Sequence, residues 1–278
     1  MSIDKEIGYN GATVFWSLKN GTSREKLKEG FESIGRPELL PSVENDGPAL
    51  RRAIRNCFPS RGDSLIRPLK GVAGFAVIEE REETDPSGQV ELTHRQELCI
   101  AISGTTTLAN PPDHVLVDRI KEEYLKEKQK IPASKLGSVL VDACKGLSGI
   151  PLRPRGGMYW LPEDVLGKWE EVVSVVEAAD SGNRCWRMKT TTDQETVDAV
   201  CDSLVIEVEK QLEGVMEALT SEESILGKRA LKTKSNTALE LKELVAQYEG
   251  ILSRTLSDLS EKADGVQSAV GLALLQAI

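Results

Sequence analysis

The sequence predicts an α+β protein with a mixed N-terminal sheet domain, a winged-helix-like middle and a long, coiled-coil-like C-terminal helical hairpin. Three observations carry that expectation. The front of the chain mixes β-rich runs with helical periods. The middle has the order helix, short turn, helix, Gly-Gly hairpin. The last third carries apolar residues at alternating spacings of three and four. Breaks in these patterns divide the chain at residues 1–110, 111–192 and 193–278.

In the first segment, residues 13–18 (TVFWSL) read as a short strand. Thr22, Ser23, Arg24 and Glu25 form a capping box that opens a helix through Phe31 and Ile34, and Gly35-Arg36-Pro37 stops it. A second helix follows Asp46-Gly47-Pro48. Ala49, Leu50, Ala53, Ile54 and Cys57 fall on one face, Arg51, Arg52 and Arg55 point elsewhere, and Pro59 closes the helix. β-Rich pieces occupy residues 64–69, 72–79 and 90–102, the last two joined as an antiparallel hairpin by Asp85-Pro86-Ser87-Gly88. The acidic distal end of this hairpin (Glu79, Glu80, Glu82, Glu83, Asp85, Glu91) reads as a solvated tip, because the carboxylates follow no calcium-loop spacing.

Asn110-Pro111-Pro112-Asp113 breaks the chain, with Asp113 as N-cap of a helix that uses Val115, Leu116, Ile120 and Tyr124, with Leu125 a further candidate. Ile131-Pro132-Ala133-Ser134 connects tightly to a helix over residues 135–147 with the stripe Leu136, Val139, Leu140, Ala143 and Cys144. Residues 150–161 read as strand, Gly156-Gly157 turn and strand. A helix from Pro162 to Ala179 follows, and residues 184–189 (RCWRMK) form a short basic strand.

From Asp193 the pattern is helical. Cys201, Val208 and Val215 recur every seven residues with Val205, Leu212 and Leu219 between them. Ala238, Val245, Leu252, Leu259, Val266 and Ala273 do the same, accompanied by Leu241, Tyr248, Thr255, Lys262 and Ala269. Such stripes must be buried against another helix, of the same chain or of a partner. The first arm runs to Leu219 and Thr220-Ser221-Glu222-Glu223 restarts the helix. The arms are unequal, so either the second is broken, around residues 227–235, or its far end projects beyond the first. Leu241, Val245, Tyr248, Leu252, Leu259 and Val266 are the candidate assembly residues of a homo-oligomer.

A formal charge of −9 and a pI near 5.1 disfavour coating of nucleic acid by net electrostatics, though local patches can override the mean. An aromatic share of 4% leaves few platforms for stacking bases. Five widely spaced cysteines without a CxxC pair suit reduced thiols in a cytoplasmic protein. No run of about 18 apolar residues occurs, which predicts a soluble chain without membrane contact.

The hairpin around Gly156-Gly157 is the most functional-looking element. It would carry Arg153 and Arg155 at its tip, and the preceding helix adds Lys135 and Lys145, so these four are the nucleic-acid candidates. The same order of elements suits a structural or protein-binding module. A second basic cluster, Arg51, Arg52, Arg55, Arg61, Arg67 and Lys70, either forms a positive surface or pairs with the acidic hairpin or C-terminal helices. His94 and His114 lack neighbours at metal-ligand spacing, and no nucleotide-binding or hydrolase motif is present. The polar stretch Ser103-Gly104-Thr105-Thr106-Thr107 reads as a strand connection more readily than as an anion-binding turn, and Cys99 and Cys144 as core residues. No catalytic, cofactor or metal residue is assigned.

Residues 153–162 (RPRGGMYWLP), followed by the Trp169 helix, resemble uncharacterised proteins of bacteriophages and other mobile elements, in which a mixed α/β front half leads to a Gly-Gly-aromatic hairpin and helical C-terminal part. The resemblance implies a mobile-element setting and supplies no mechanism. The expected function is that of a non-enzymatic protein that binds a macromolecule and assembles through its C-terminal helices, with itself or another protein as partner. The alternative is a DNA- or RNA-binding accessory protein that contacts phosphates through the winged-helix-like module.

Overall fold

The computed structural model describes residues 9–58, 64–84, 89–103, 106–154, 156–191, 193–220 and 227–276. The front elements are β1 (Tyr9–Ser17), β2 (Thr22–Ser23), α1 (Arg24–Ser33) and α2 (Asp46–Cys57). Four strands follow, β3 (Ser64–Pro68), β4 (Ala73–Thr84), β5 (Val90–Ser103) and β6 (Thr106–Asn110), then α3 (Val117–Lys128) and β7 (Lys130–Ile131). The chain continues through α4 (Ala133–Gly146), β8 (Ile150–Pro151), β9 (Met158–Pro162), α5 (Leu166–Ala179) and β10 (Arg184–Thr191). It finishes with α6 (Gln194–Thr220), α7 (Lys228–Leu252) and α8 (Ser257–Gln276). The protein is α+β, as its composition of periods requires, and its sheets are antiparallel.

The chain forms two compact units, one of Lys19–Leu136 and one of Met1–Leu18 with Gly137–Ile278. These boundaries differ from the breaks expected near residues 110 and 192. The physical reason is β1. Its Ala12 and Val14 are fully buried, so the strand needs neighbours on both edges, and it takes them from β9 and β10 far along the chain.

The inserted unit is a meander sheet, order β3-β4-β5-β6, with α2 and α3 on one side. Leu50, Ala53 and Ile54 of α2 and Val117 and Ile120 of α3 pack with Phe75, Val77, Leu98 and Ile100 of the sheet. The expected hairpin is β4–β5, with Thr84 opposite Val90; its turn residues 85–88 lie outside the described residues. Two local expectations change. The cap of α1 is Ser23, whose Oγ accepts from Lys26 N, while Thr22 is buried in β2. The helix after Asp113 begins only at Val117, and Val115 is 90% exposed, so it belongs to the preceding turn and not to the buried stripe.

In the second unit the order β1, α4, β8, β9, α5, β10 with strand order β10-β1-β9-β8 is a split βαβ arrangement, interrupted between β1 and α4 by the inserted unit. This corrects the winged-helix reading. The hairpin β8–β9 is not a projecting wing, because β9 is an inner strand flanked by β1 and β8 and its Trp160 is fully buried. The helix expected to open the module, α3, belongs to the core of the inserted unit instead.

The C-terminal stripes meet each other. Val200, Cys201, Leu204, Val208, Leu212 and Val215 of α6 pack with α7 and α8 in one core that also takes in Ile150 and Trp160. Leu241, Val245, Tyr248, Leu252, Leu259 and Val266, expected to form an assembly surface, are all 8% exposed or less in this core. The choice between intramolecular and intermolecular burial therefore falls on the intramolecular side for these six. The second arm is broken at Ser253, which caps α7 with a left-handed backbone (φ 49°), and not around residues 227–235. The break also resets the phase. Thr255 falls in the connection, Lys262 points outward to Glu209, and the buried stripe of α8 becomes Leu259, Ala263, Val266 and Val270. The capping-box residues 221–223 lie outside the described residues.

Candidate functional site

The turn between β8 and β9 is closed by a hydrogen bond from Leu152 N to Met158 O (3.1 Å). Its glycines are there for two different reasons. Gly156 adopts φ +98°, a region L side chains avoid, and the Arg153 guanidinium folds across it. Gly157 lies against the Trp16 indole, where a Cβ would overlap the ring. Trp16 in turn stacks on Tyr159 (centroids 6.0 Å apart, 9° between planes) and tilts against Trp169 of α5.

This turn forms one wall of a cleft of about 450 Å³. Gly137, Val141 and Lys145 of α4, spaced by four residues and so on one face, form a second wall, and Ser203, Ile206, Glu207 and Lys210 of α6 form a third. Three exposed cations, Lys145, Arg153 and Lys210, converge on it, and none makes an ion pair among the described residues. The lining carboxylate, Glu207, accepts a hydrogen bond from Gln211 Nε2 at 2.7 Å. Burial pushes the Tyr159 hydroxyl above its ordinary pKa, so it is a neutral donor. A neighbouring cleft of about 500 Å³ shares Lys145 and Glu207 but adds Glu240 and Glu243, which makes it the less favourable of the two for an anion.

Of the four nucleic-acid candidates, the structure brings Lys145 and Arg153 together. Lys135 is half-buried in the first turn of α4 and does not line the cleft, and Arg155 lies outside the described residues. Sequence reasoning missed Lys210 and Trp16. Lys210 sits on α6 between seam residues, where a reading of the apolar stripe passes over it, and Trp16 comes from a strand far away in sequence.

The basic cluster on α2 resolves differently from either expectation. Arg52 pairs with Glu44 (2.6 Å) and with the buried Glu127 (2.8 Å), not with the acidic hairpin or C-terminal helices. Lys130 and Asn56 also donate to Glu127, at 2.7 and 3.4 Å. Burial alone would push the Glu127 carboxyl up; the hydrogen bonds from Lys130 and Arg52 outweigh it and hold the group below its ordinary range. Arg51 and Arg55 remain exposed beside a concave surface of about 770 Å³, while Arg61 lies outside the described residues.

Burial pushes the Cys144 thiol far up and Cys185 up to about 12, so both stay protonated at neutral pH. His94 meets Glu80 at 2.8 Å and His114 lies 3.6 Å from Glu97, and among the described residues no three metal-ligating side chains cluster. Gly104 and Thr105 of the polar strand connection lie outside the described residues. No helix among the described residues is long and apolar enough to cross a membrane.

One family model, described as a family of unknown function (DUF6744), matches residues 11–278. No curated protein and no solved structure matches the chain.

Proposed function

The chain belongs to the DUF6744 family of unknown function, and on that premise we propose, from the site's geometry, that it is a non-enzymatic, cytoplasmic nucleic-acid-binding accessory protein. It holds backbone phosphates with Lys145, Arg153 and Lys210. The observation that carries the reading is the convergence of these three unpaired cations beside an indole, on a chain whose net charge is −9. Like charges placed together repel one another, and the lining carboxylate Glu207 offsets part of that repulsion, so an anion that bridges the three cations gains Coulomb energy that the free protein lacks. The cleft volume lies within the range of about 300–1,000 Å³ typical of small-ligand sites, enough for a nucleotide-sized segment. The cytoplasmic placement is supported by five free cysteines, three of them buried.

Fluorescence anisotropy with labelled oligonucleotides at several salt concentrations tests this. Replacing Lys145, Arg153 and Lys210 together by Ala should weaken binding for every sequence and flatten the slope of log K against log salt by about 2 to 3. An unchanged slope would remove the cleft from the reading, and absent binding by the wild type at low salt would remove the reading itself.

A second reading, self-association, is favoured by Leu272 and Leu275 of α8, which are 62% and 70% exposed. Light scattering that gives a monomer mass across a wide concentration range would eliminate it.

A further inference from the structure

The four-stranded sheet of the second unit has two faces, and only one is fully covered. Residues opposite each other in antiparallel pairs share a face. Val14, Trp16, Tyr159 and Arg187 lie towards α5, as the Trp16–Trp169 contact and the Arg187–Glu170 ion pair record. On the other face, Ile150 and Trp160 are buried by the C-terminal helices, with the Trp160 and Tyr248 rings 5.7 Å apart. Among the described residues that cover stops at Trp160. Beyond it the face carries one cross-strand row of Met158, Phe15 and Trp186 and a neighbouring row that ends in Met188.

The open rows are largely apolar. Trp186 is 43% and Met188 50% exposed, while Phe15 and Met158 are half-buried. The Phe15 and Trp186 rings lie nearly parallel, 5.3 Å apart and 20° between planes. Arg184 stands at the rim, opposite Ser17, exposed and steadied by a hydrogen bond to the Asn183 carbonyl (2.8 Å). Of the cations on β10, which carries no acid, Arg184 shares this open face, while Arg187 and Lys189, opposite Val14 and Ala12, lie on the other.

We infer that this open half-face is a stacking site for the unpaired bases of a single-stranded nucleic acid, with a base on the outer face of Trp186, whose inner face Phe15 backs, and a phosphate on Arg184. The inference rests on the nucleic-acid reading above and narrows its substrate class, since the bases of a duplex have no free face to offer. An exposed indole backed by a second ring and flanked by an arginine, on an acid-free strand, complements a polyanion that carries flat rings better than it complements an apolar peptide.

The test uses the full-length protein with three labelled ligands of about 16 nucleotides: oligothymidylate, an abasic strand of equal length and a duplex. The wild type should prefer oligothymidylate to the abasic strand by about tenfold. Trp186→Ala should remove that preference without changing abasic affinity or salt slope, and Trp186→Tyr should restore part of it. A thermal melt establishes that both variants are folded, as expected for an exposed position. Equal wild-type affinity for oligothymidylate and the abasic strand would overturn the platform and leave the cleft standing. So would unchanged oligothymidylate affinity in Trp186→Ala, and a change in that variant's oligomeric mass would then assign the face to a second copy of the chain. Failure of the wild type to bind any of the three would overturn both readings.

Discussion

The Gly157 backbone lies flat against the Trp16 indole, leaving no room for a side chain between strand and ring. Trp16 is itself held by Tyr159 and Trp169, so it cannot swing aside without disturbing the sheet's packing on α5. Gly157→Ala should therefore destabilise the protein by about 1–3 kcal/mol, the usual cost of overpacking. Urea unfolding followed by tryptophan fluorescence measures it, and a wild-type midpoint would contradict the contact.

Glu127 is an anion buried among three donors. Replacing it by Ala leaves Arg52 with Glu44 as its remaining acidic partner and takes from Lys130 its acidic partner, a change expected to cost about 3 kcal/mol. Because the folded-state pKa of Glu127 is depressed, the stability it contributes is present above the ordinary carboxylate pKa and is lost as pH falls through the folded value. Unfolding midpoints measured at descending pH should fall less in Glu127→Gln than in the wild type.

The alkaline limb should have a different origin. Tyr124 Oη donates to Asp46 Oδ1 at 2.7 Å, and burial, then that carboxylate, push its pKa up to about 12. A group with a raised folded pKa contributes stability below its unfolded pKa and loses it as pH rises through the folded one. Stability should thus decline between pH of about 10, the ordinary tyrosine value, and about 12. Tyr124→Phe should flatten this decline; a thermal-melt series across that window decides.

The C-terminal seam offers an internal comparison within α7. Leu241 is 4% exposed in the helix core and Leu239, two positions away on the other side, is 43% exposed. Leu241→Ala should cost about 2–5 kcal/mol by cavity formation, and Leu239→Ala about 0.5 kcal/mol or less. Similar costs for both, by chemical denaturation, would mean that the helix faces are assigned wrongly.

Much of this architecture was legible before any coordinates. The stripe Leu136, Val139, Leu140, Ala143 and Cys144 of α4 is buried where its period places it. So are the seam residues of α7 and Cys201, Val208, Leu212 and Val215 of α6, while Val205 and Leu219 are half-buried, because a helix that exposes one apolar face has to bury it. The break at Ser253 escaped notice, since a heptad count continues through a residue whose backbone happens to turn left-handed. Half of the candidate cleft was legible as well. Lys145 and Arg153 were visible as cations near a Gly-Gly turn, whereas Lys210 and Trp16 join them only through packing.

By itself the sequence determined which segments are helices, which are strands and which sides of them shun water, because period and capping are local properties of the chain. Tertiary structure alone decided that β1 seats between β9 and β10, that the seam closes on its own helices and that the hairpin is an inner edge of a sheet. The pairings of β1 join residues more than a hundred positions apart, and a strand's pattern says that it needs neighbours without saying which.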